Sequence, residues 1–264
     1  MKFDELDQKM RVFETAMDYL VLPEIFIVAR IDGRSFTRLT RETHQFAAPF
    51  DERFRDLMVE TTSHLMNCGF RVIYGYTQSD EISLLFHRDE NAFGRKLRKY
   101  ESILAGEASA KFSLLLGGHA AFDSRLSQLP NAELVCDYFR WRNEDAHRNA
   151  LNGHCYWQLR QEGLTASQAT TQLLRMPVGE KNELLFQRGI NFNELPHWQK
   201  RGIGLLWESY TKPAINPKTG EATSAERRRI KVEMELPMKE HYSQFIASLI
   251  EEATKKEIAG EDRA

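Results

Sequence analysis

Two adjacent acids stand in the middle of the segment GYTQSDEISLLF, which is otherwise rich in strand-forming residues. Asp80 and Glu81 fall between two half-buried strand patterns, where the chain must turn. Ser and Asp suit turns because they form local hydrogen bonds, so their position alone does not require chemistry. A third acid, Asp32, ends the apolar strand pattern in IFIVARIDGRSF and is a candidate partner for Asp80.

Clustered carboxylates at strand ends are the ligands that hard divalent cations prefer. Two Mg²⁺ ions ~3.5–4 Å apart stabilise the attacking and leaving oxygens of a phosphoryl or nucleotidyl displacement. Gly33 allows the backbone to approach a phosphate or metal closely. Arg34, Ser35 and the neighbouring backbone N–H groups are suited to phosphate oxygens. The pattern therefore leaves two interpretations open, a solvated turn or a metal–nucleotide site.

The elements that must position these residues follow from the hydrophobic periodicity. The first half of the chain predicts alternating helices and strands, interrupted by polar or Pro- and Gly-containing segments. In order, these are a helix at 3–20, a strand at 24–31, a helix at 51–68, strands FRVIYGYTQ and EISLLFH, a helix at 92–116 and a strand in GGHAAFDSRLSQL.

A βαββαβ order is typical of a ferredoxin-like α+β fold, the sheet of polymerase and cyclase palm domains. In such a sheet the first and third strands are antiparallel neighbours, which brings the turn at Asp80 close to Asp32. The same fold supports many functions, so it does not by itself identify the chemistry. We expect residues 1–135 to form this palm-like catalytic core.

Residues 136–264 are predicted to form helices and a β-hairpin that pack on the palm as part of one unit. Thr165 and Gln168 form a capping-box pattern at the start of a helix. The segment GEKNELLFQRGINF predicts a short helix or turn, and residues 239–256 a terminal helix. Strands are predicted at 202–210 and 228–235, with a mobile loop at 211–227 between them because that segment is rich in Pro, Gly and Lys.

Composition excludes several classes of protein. The net charge of −2 over 264 residues provides no global basic field, so nucleic-acid binding would depend on local patches. The three cysteines form no CxxC pair, which argues against a disulfide framework or a thiolate metal site and favours a reducing cytoplasm. An apolar run of ~20 residues, as a membrane span requires, does not occur.

Four segments together resemble a known family. These are RIDGRSFTRLT, YGYTQSDEISLLF, DYFRWRNEDAHRNALN and GEKNELLFQRGINFNELP. In this order they are similar to the sequence blocks of the tRNA-His guanylyltransferase family, and the resemblance runs from Ile25 to Trp207. The family includes guanylyltransferases proper and related enzymes that repair truncated tRNA 5′ ends. Both groups add nucleotides in the 3′-to-5′ direction on a polymerase-like palm.

The resemblance implies a role for each matching residue. Asp32 and Asp80 would hold two Mg²⁺ ions with the Gly33 carbonyl, and Glu81 would act beside them. The nucleotide and its triphosphate would be bound by a larger set: Gly33, Arg34, Ser35, Phe36, Ser79, Arg95, Lys96 and Lys99. Transfer of the nucleotide and handling of the tRNA would involve His147, Asn152, Lys181 and Asn182.

The resemblance also implies the reaction and the partners. ATP or GTP would activate the tRNA 5′-phosphate, and the 3′-hydroxyl of an incoming GTP would then attack the 5′-terminal α-phosphate. The family's tetramers favour a homo-oligomer. Eukaryotic-type members read close to HINNLYN where this chain reads HRNALNG, so that Ala150 replaces an asparagine. This departure favours the tRNA-repair branch without excluding strict G addition to tRNA-His.

Two other functions remain as alternatives. A nucleotide cyclase shares the sheet and the paired acids, but it would have no use for the C-terminal blocks. A catalytically inactive nucleotide- or RNA-binding module has no need for clustered acids that face phosphate. His147 and the basic run RKLRK also have structural interpretations, as a hydrogen-bonded surface histidine and a solvated helix face.

Overall fold

A six-stranded antiparallel sheet organises the chain in a computed structural model that describes residues 1–215 and 222–258. Its strand order is β4-β1-β3-β2-β5-β6. The strands are β1 Phe26–Gly33, β2 Val72–Gln78, β3 Glu81–Phe86, β4 Phe122–Leu129, β5 Ile203–Ile215 and β6 Ala222–Glu233. The first four strands and the helices between them confirm the predicted βαββαβ unit.

The helices lie on both faces of this sheet. They are α1 Phe3–Thr15, α2 Phe36–Arg38, α3 Glu52–Leu65, α4 Leu97–Leu116, α5 Ala132–Gln161, α6 Ala166–Leu173, α7 Val178–Phe186, α8 His197–Arg201 and α9 Glu240–Ile258. The Thr165–Gln168 capping box is formed at the start of α6. Among the described residues, no helix is both long and apolar enough to cross a membrane.

Strand β1 is apolar from Phe26 to Ala29 and at Ile31 because both of its faces are covered there. On one face Ile27 and Ile31 pack with Met58 of α3 and Phe112 of α4. On the other face Val28 belongs to a cluster with Tyr74, Phe139 of α5 and Tyr242 of α9. A strand that is buried on both faces carries a continuous apolar run rather than an alternating one, as the sequence predicts here.

The C-terminal hairpin extends the palm sheet. Strand β5 pairs with β2 from Tyr74–Leu206 to Thr77–Ile203, so both predicted parts of the chain share one sheet. The predicted loop at 211–227 is wrong for the residues described within it, because 211–215 and 222–227 continue β5 and β6. Pairing between the strands supplies backbone hydrogen bonds that the local composition does not predict. The remaining residues, 216–221, lie outside the described part of the chain.

Helix α1 is shorter than the predicted helix at 3–20 and does not contribute to the core. None of its residues is buried, and Phe13 is 73% exposed. After the helix, Tyr19 and Val21 form backbone hydrogen bonds with residues 95–97 at the start of α4. The apolar periodicity of this segment therefore marks a helix face that is solvent-exposed in the single chain.

The burial of the aromatic core gives a direct test of this architecture. Phe112 is fully buried and its ring lies 5.2 Å from Phe36 and 5.5 Å from Phe122, whereas Phe186 of α7 is 66% exposed. We expect Phe112→Ala to lower the free energy of unfolding by about 3–5 kcal/mol. Phe186→Ala should change it by about 0.5 kcal/mol or less. Urea titrations of both variants check this difference, and equal losses would contradict the assigned core.

Candidate active site

Three acids meet across the sheet at the end of β1. Asp32 pairs with Glu81 of β3 on one side and with Asp123 of β4 on the other. Residues directly opposite in antiparallel strands present their side chains on the same face. Asp80 lies in the two-residue turn that joins β2 to β3, and its carbonyl accepts the Gly33 N–H at 2.9 Å. The structure thus brings Asp32 and Asp80 to one end of the sheet.

Two serines beside these acids adopt the left-handed backbone conformation. The φ angles are 61° at Ser35 and 51° at Ser79. This region is disfavoured for residues with a Cβ atom, and such strain concentrates at functional sites. The Ser79 hydroxyl donates a hydrogen bond to Oδ1 of Asp80 at 3.0 Å. The turn therefore orients the Asp80 carboxylate at a cost in backbone energy.

The Asp80 carboxyl lies in an environment that disfavours its charge. Burial raises its pKa and the negative charge of Asp32 raises it further, while local hydrogen bonds and Arg30 oppose the rise. A hard cation would offset both effects, so the site fits a divalent metal. Within the described residues, no group of three or more His, Cys, Asp or Glu side chains is placed to bind a metal. The protein's side-chain ligands would therefore be the two aspartates, a set typical of Mg²⁺ that also binds substrate phosphates.

Glu81 is bound on both sides by arginines. Its Oε1 and Oε2 accept hydrogen bonds from Nε and Nη2 of Arg142 at 2.7 and 2.8 Å. Arg30 also pairs with Glu81 and donates to Oδ2 of Asp32 at 3.0 Å. Glu81 is 5% exposed, and burial raises its pKa while the two guanidinium groups oppose the rise. Glu81 thus joins β3 to α5 and, through Arg30, orients Asp32.

Sequence reasoning missed Arg142, and it also missed two strand arginines near the acids on this face. Arg30 and Arg125 are directly opposite each other in β1 and β4, two residues along their strands from Asp32 and Asp123. Arg125 is 58% exposed, and its Nη2 lies 3.5 Å from Oδ1 of Asp123. The spacing from Arg30 to Asp32 was a usable signal, since alternate strand residues share a face. The position of Arg125 beside the acids depends on the β1–β4 register, so no local sequence pattern predicts it.

A cavity of about 440 Å³ opens beside Asp80. Its walls are largely aromatic and include Phe36, Phe46, Phe50, Phe54, Tyr156, Trp157 and Trp198. Its polar lining includes Thr77, Gln78, Ser79 and Asp80 from the end of β2 and the turn. An apolar cleft with a few polar groups at one end is typical of small-ligand sites, and these aromatic walls suit a planar ring.

Gly33 and Phe36 fit together at the edge of this cavity. A Cβ atom on Gly33 would lie 2.5 Å from the Phe36 ring, so any side chain there would displace Phe36. The backbone N–H groups of Gly33 and Arg34 donate to the carbonyls of Asp80 and Ala121. Both N–H groups are thus used within the fold, and contact between phosphate and the other N–H groups around Ser35 stays a prediction.

The basic residues expected to bind a triphosphate lie at the opposite end of the sheet. Arg95 is buried and donates to four backbone carbonyls, one of them that of Ile25 just before β1. Seven residue steps along the chain separate Ile25 from Asp32, or roughly 23 Å at about 3.3 Å per residue. Lys96 pairs with Asp18 at 2.8 Å, and Lys99 lies over the Phe93 ring. Within one chain these three residues lie far from Asp80, and their binding of a triphosphate stays a prediction.

The four residues assigned to tRNA handling lie on two other helices. His147 lies on α5 with its ring 5.3 Å from Phe192, and burial lowers its pKa, assisted by nearby cations including Lys200. Asn152 is exposed on α5. On α7, the Lys181 carbonyl accepts the Cys155 thiol, and Asn182 donates to the Val178 carbonyl. None of the four is among the described residues that line the cavity.

The buried ion pair at Glu81 gives a stability test. Arg142→Met leaves one side of the Glu81 carboxylate buried without its partner, so we expect a loss of about 3–5 kcal/mol in the free energy of unfolding. The double variant Glu81→Leu/Arg142→Met removes both charges and should recover much of that loss. Urea unfolding of the two variants measures this. If Arg142→Met is as stable as the parent chain, the ion pair does not stabilise the fold.

Comparisons with known proteins cover nearly the whole described chain. The family model for tRNAHis guanylyltransferase matches residues 7–131, and that for the Thg1 C-terminal domain matches residues 133–247. The probable tRNA(His) guanylyltransferase of Homo sapiens is 34% identical over 75% of this chain and 70% of the human protein. That of Mus musculus is 33% identical over 71% of this chain and 66% of the mouse protein.

Solved structures give the same result. A bacterial tRNA(His) guanylyltransferase-like protein in complex with ATP superposes with a TM-score of 0.71 at 27% identity, covering 93% of this chain and 99% of that one. The complex with GTP gives a TM-score of 0.69 with the same coverage. The enzyme from Saccharomyces cerevisiae gives 0.69 at 29% identity, over 78% of this chain and 93% of the yeast chain. Given the matches over both halves, this chain belongs to the tRNA-His guanylyltransferase family, whose named members are nucleotidyltransferases.

Proposed function

We propose that this protein is a Mg²⁺-dependent nucleotidyltransferase that adds nucleotides in the 3′-to-5′ direction to the 5′ end of tRNA. The observation that carries the proposal is the position of Asp32 and Asp80 at one end of the sheet, where Asp80 also lines an aromatic cavity. Such a site holds a planar base beside paired carboxylates, as nucleotidyl transfer requires. The reaction begins with activation of the tRNA 5′-phosphate by ATP or GTP.

The metal site proposed here uses two carboxylates and one backbone oxygen. Asp32 and Asp80 would bind Mg²⁺ together with the Gly33 carbonyl, since carbonyl and carboxylate oxygens are both ligands that this hard cation accepts. Bound there, Mg²⁺ would supply charge neutralisation at the reacting phosphate and stabilise its attacking and leaving oxygens. Glu81 serves this site indirectly, because its arginine partners Arg30 and Arg142 fix the position of β1 against β3 and α5.

The remaining groups bind and orient the nucleotide. The base lies between the aromatic walls, and Ser79 and Asp80 meet the sugar-phosphate end of the ligand. Arg30 and Arg125 face the triphosphate, since they are strand guanidinium groups on the sheet face of Asp32. Arginine is well suited to this role because its planar fork binds phosphate oxygens in pairs. The ATP and GTP complexes of the bacterial relative support purine nucleotides as ligands.

Within the family we assign this chain to the tRNA 5′-end repair branch. Ala150, which replaces an asparagine of eukaryotic-type members, is 2% exposed and packs in an apolar cluster with Leu159 and Leu185. The bacterial guanylyltransferase-like structures also cover more of this chain than the yeast enzyme does. A nucleotide cyclase would leave the matched region 133–247 without a role. The three free cysteines support a cytoplasmic location, which microscopy of a fluorescent fusion would test.

Labelled-nucleotide addition to a tRNA transcript that lacks its 5′-terminal residue tests the activity. With Mg²⁺, ATP and all four nucleoside triphosphates, we expect extension by a nucleotide complementary to the opposing 3′-strand base. Asp80→Asn should reduce the rate at least ~100-fold, since it removes a metal ligand, while the urea midpoint stays the same or rises. Arg125→Ala should raise the KM for the nucleotide about tenfold, because it removes a charge-assisted hydrogen bond to the phosphate.

Three controls separate the alternatives in this assay. A transcript with a changed opposing base should change the added nucleotide if addition is template-directed. Addition of G alone, and only to tRNA-His, would instead identify a guanylyltransferase proper. No incorporation by folded protein would reject the proposed activity.

We further propose that the protein is a homo-oligomer, with a tetramer as the expected state. Helix α1 exposes a set of apolar side chains that a monomer would leave in water: Phe3, Leu6, Met10, Val12 and Phe13. Exposed apolar patches of this kind mark interaction sites. An assembly would also help a chain of net charge −2 to form a basic groove for tRNA across subunits.

Sedimentation velocity at micromolar concentration measures the assembly state. We expect a single species larger than the 30.7 kDa monomer. Phe13→Glu should shift the distribution to smaller species, because it places a charge in the apolar face of α1. The matched control is Phe186→Glu, on another exposed helix. A monomer for the parent protein would reject this proposal.

A further inference from the structure

One wall of the aromatic cavity is an irregular loop that the fold must immobilise by other means. Residues 46–50 contain no helix or strand, yet four of them, Phe46, Ala47, Pro49 and Phe50, line the cavity. A segment that lacks the regular backbone hydrogen bonds of a helix or strand is ordered only if other groups form hydrogen bonds with its N–H and C=O groups. We call residues 46–50 the wall loop.

The carbonyls of the wall loop are bound by a single side chain. Nη1 of Arg41 donates to the carbonyl of Phe46 at 3.1 Å and to that of Ala47 at 2.9 Å. Nη2 donates to the carbonyl of Pro49 at 3.2 Å. One half-buried guanidinium group thus forms three hydrogen bonds with the loop. Each of these bonds is strengthened, because the donor is charged and partly shielded from water.

Arg41 is itself held from the other side by α5. The guanidinium carbon lies 4.9 Å from the centre of the Trp157 ring, within the range of a cation–π contact. One turn earlier on the same helix, a Cβ atom on Gly153 would lie 3.7 Å from Pro49. The wall loop therefore contacts both Arg41 and α5, and Arg41 also connects the loop to the helix.

Asp51 fixes the opposite edge of the same loop. Its Oδ2 accepts the N–H of Ala47 at 2.7 Å, and its Oδ1 accepts the N–H of Arg53 at the start of α3. Ala47 thus has its N–H bound by Asp51 and its carbonyl bound by Arg41. The loop presents side chains to the cavity, while three of its carbonyls face Arg41.

From this geometry we infer that Arg41 is a positioning residue that preorganises the nucleotide cavity through the wall loop. The inference rests on the proposed function, because it takes the ligand of the cavity to be a purine nucleotide. When the wall of the cavity is already ordered, ligand binding does not include the free-energy cost of ordering it. Ordering of backbone residues opposes binding, so removal of the hydrogen bonds from Arg41 should weaken binding about tenfold.

The chain contains a matched arginine for comparison. Arg55 also lines the cavity, and its guanidinium carbon also lies 4.9 Å from a tryptophan ring, that of Trp198. Its hydrogen bonds go to Glu52 and Asp56 on its own helix, not to the wall loop. Arg38, by contrast, is exposed, pairs with Glu42 and does not line the cavity. Variants of the three arginines therefore distinguish three effects. Arg41 anchors the loop and stacks on a ring, Arg55 stacks on a ring without anchoring the loop, and Arg38 tests the loss of a positive charge alone.

The experiment measures nucleotide binding and loop exchange in the full chain. Calorimetric titration with ATP and with GTP should give a Kd about tenfold higher for Arg41→Ala than for the parent, and an intermediate value for Arg41→Lys. Hydrogen–deuterium exchange should be faster at residues 45–50 in Arg41→Ala but not in Arg55→Ala or Arg38→Ala. In the transcript assay Arg41→Ala should raise the KM for the nucleotide and leave kcat unchanged, and Arg38→Ala should behave as the parent.

Each failure has a separate meaning. If the parent protein binds neither nucleotide, the nucleotide cavity of the proposed function is rejected and the inference falls with it. If the parent binds and Arg41→Ala binds equally well, with unchanged exchange at residues 45–50, the positioning role is overturned while the proposed function stands. A fall in kcat without a rise in KM would also overturn it, by placing Arg41 in the chemical step. Should Arg41→Ala unfold at the assay temperature, the same comparisons are made with Arg41→Lys, for which unchanged Kd and exchange reject the role.

Discussion

The buried carboxylate of Glu81 is the group on which the arrangement of this protein depends. It is the point where β3, β1 and α5 meet, because Arg142 reaches it from the helix and Arg30 from the neighbouring strand. A charge buried to this degree is tolerated only when its partners are fixed in position. The ion pairs therefore define where α5 lies on the sheet, and α5 in turn carries Trp157 to the cavity and His147 to Phe192. The acid beside Asp80 thus has a structural task, because it fixes α5 on the sheet.

The cavity is assembled from parts of the chain that are far apart in sequence. Its polar edge comes from the β2–β3 turn, one wall from residues 36–58, and the rest from α5 and α8. Each part is restrained in a different way. The turn has the left-handed backbone conformation of Ser79, Phe36 packs closely against Gly33, and Arg41 forms hydrogen bonds with residues 46–49. Preorganisation by several independent restraints is typical of sites that bind a rigid ligand, because the protein does not have to order itself on binding. The same restraints hold the aromatic walls of the cavity next to Asp80.

The positive charges show that residue type alone does not fix what an arginine contacts. Arg95 and Arg30 are both arginines near strand termini, yet Arg95 binds four backbone carbonyls at the far end of β1 and Arg30 lies against Asp32. A buried guanidinium group must satisfy its donors within the protein, and for Arg95 the irregular segments around residues 21–25 and 88–90 offer the acceptors. Lys96 is held by Asp18 in the same region. A basic run in a sequence therefore indicates charge, and the fold decides whether that charge meets a ligand.

The sequence by itself determined the βαββαβ order, the continuous apolar pattern of β1 and the position of Asp32 and Asp80 at adjacent strand ends. These features follow from periodicity and chain polarity, which are local properties, and the family resemblance rests on the same segments. The tertiary structure decided which side chains face the two acids. Arg125 reaches the site through the β1–β4 register, Glu81 is withdrawn into an ion pair with a helix that begins fifty residues later, and α1 leaves its apolar face exposed. Strand register, helix packing and the hydrogen bonds of buried polar groups depend on contacts between segments that are distant in sequence. No local pattern in the sequence therefore specifies them.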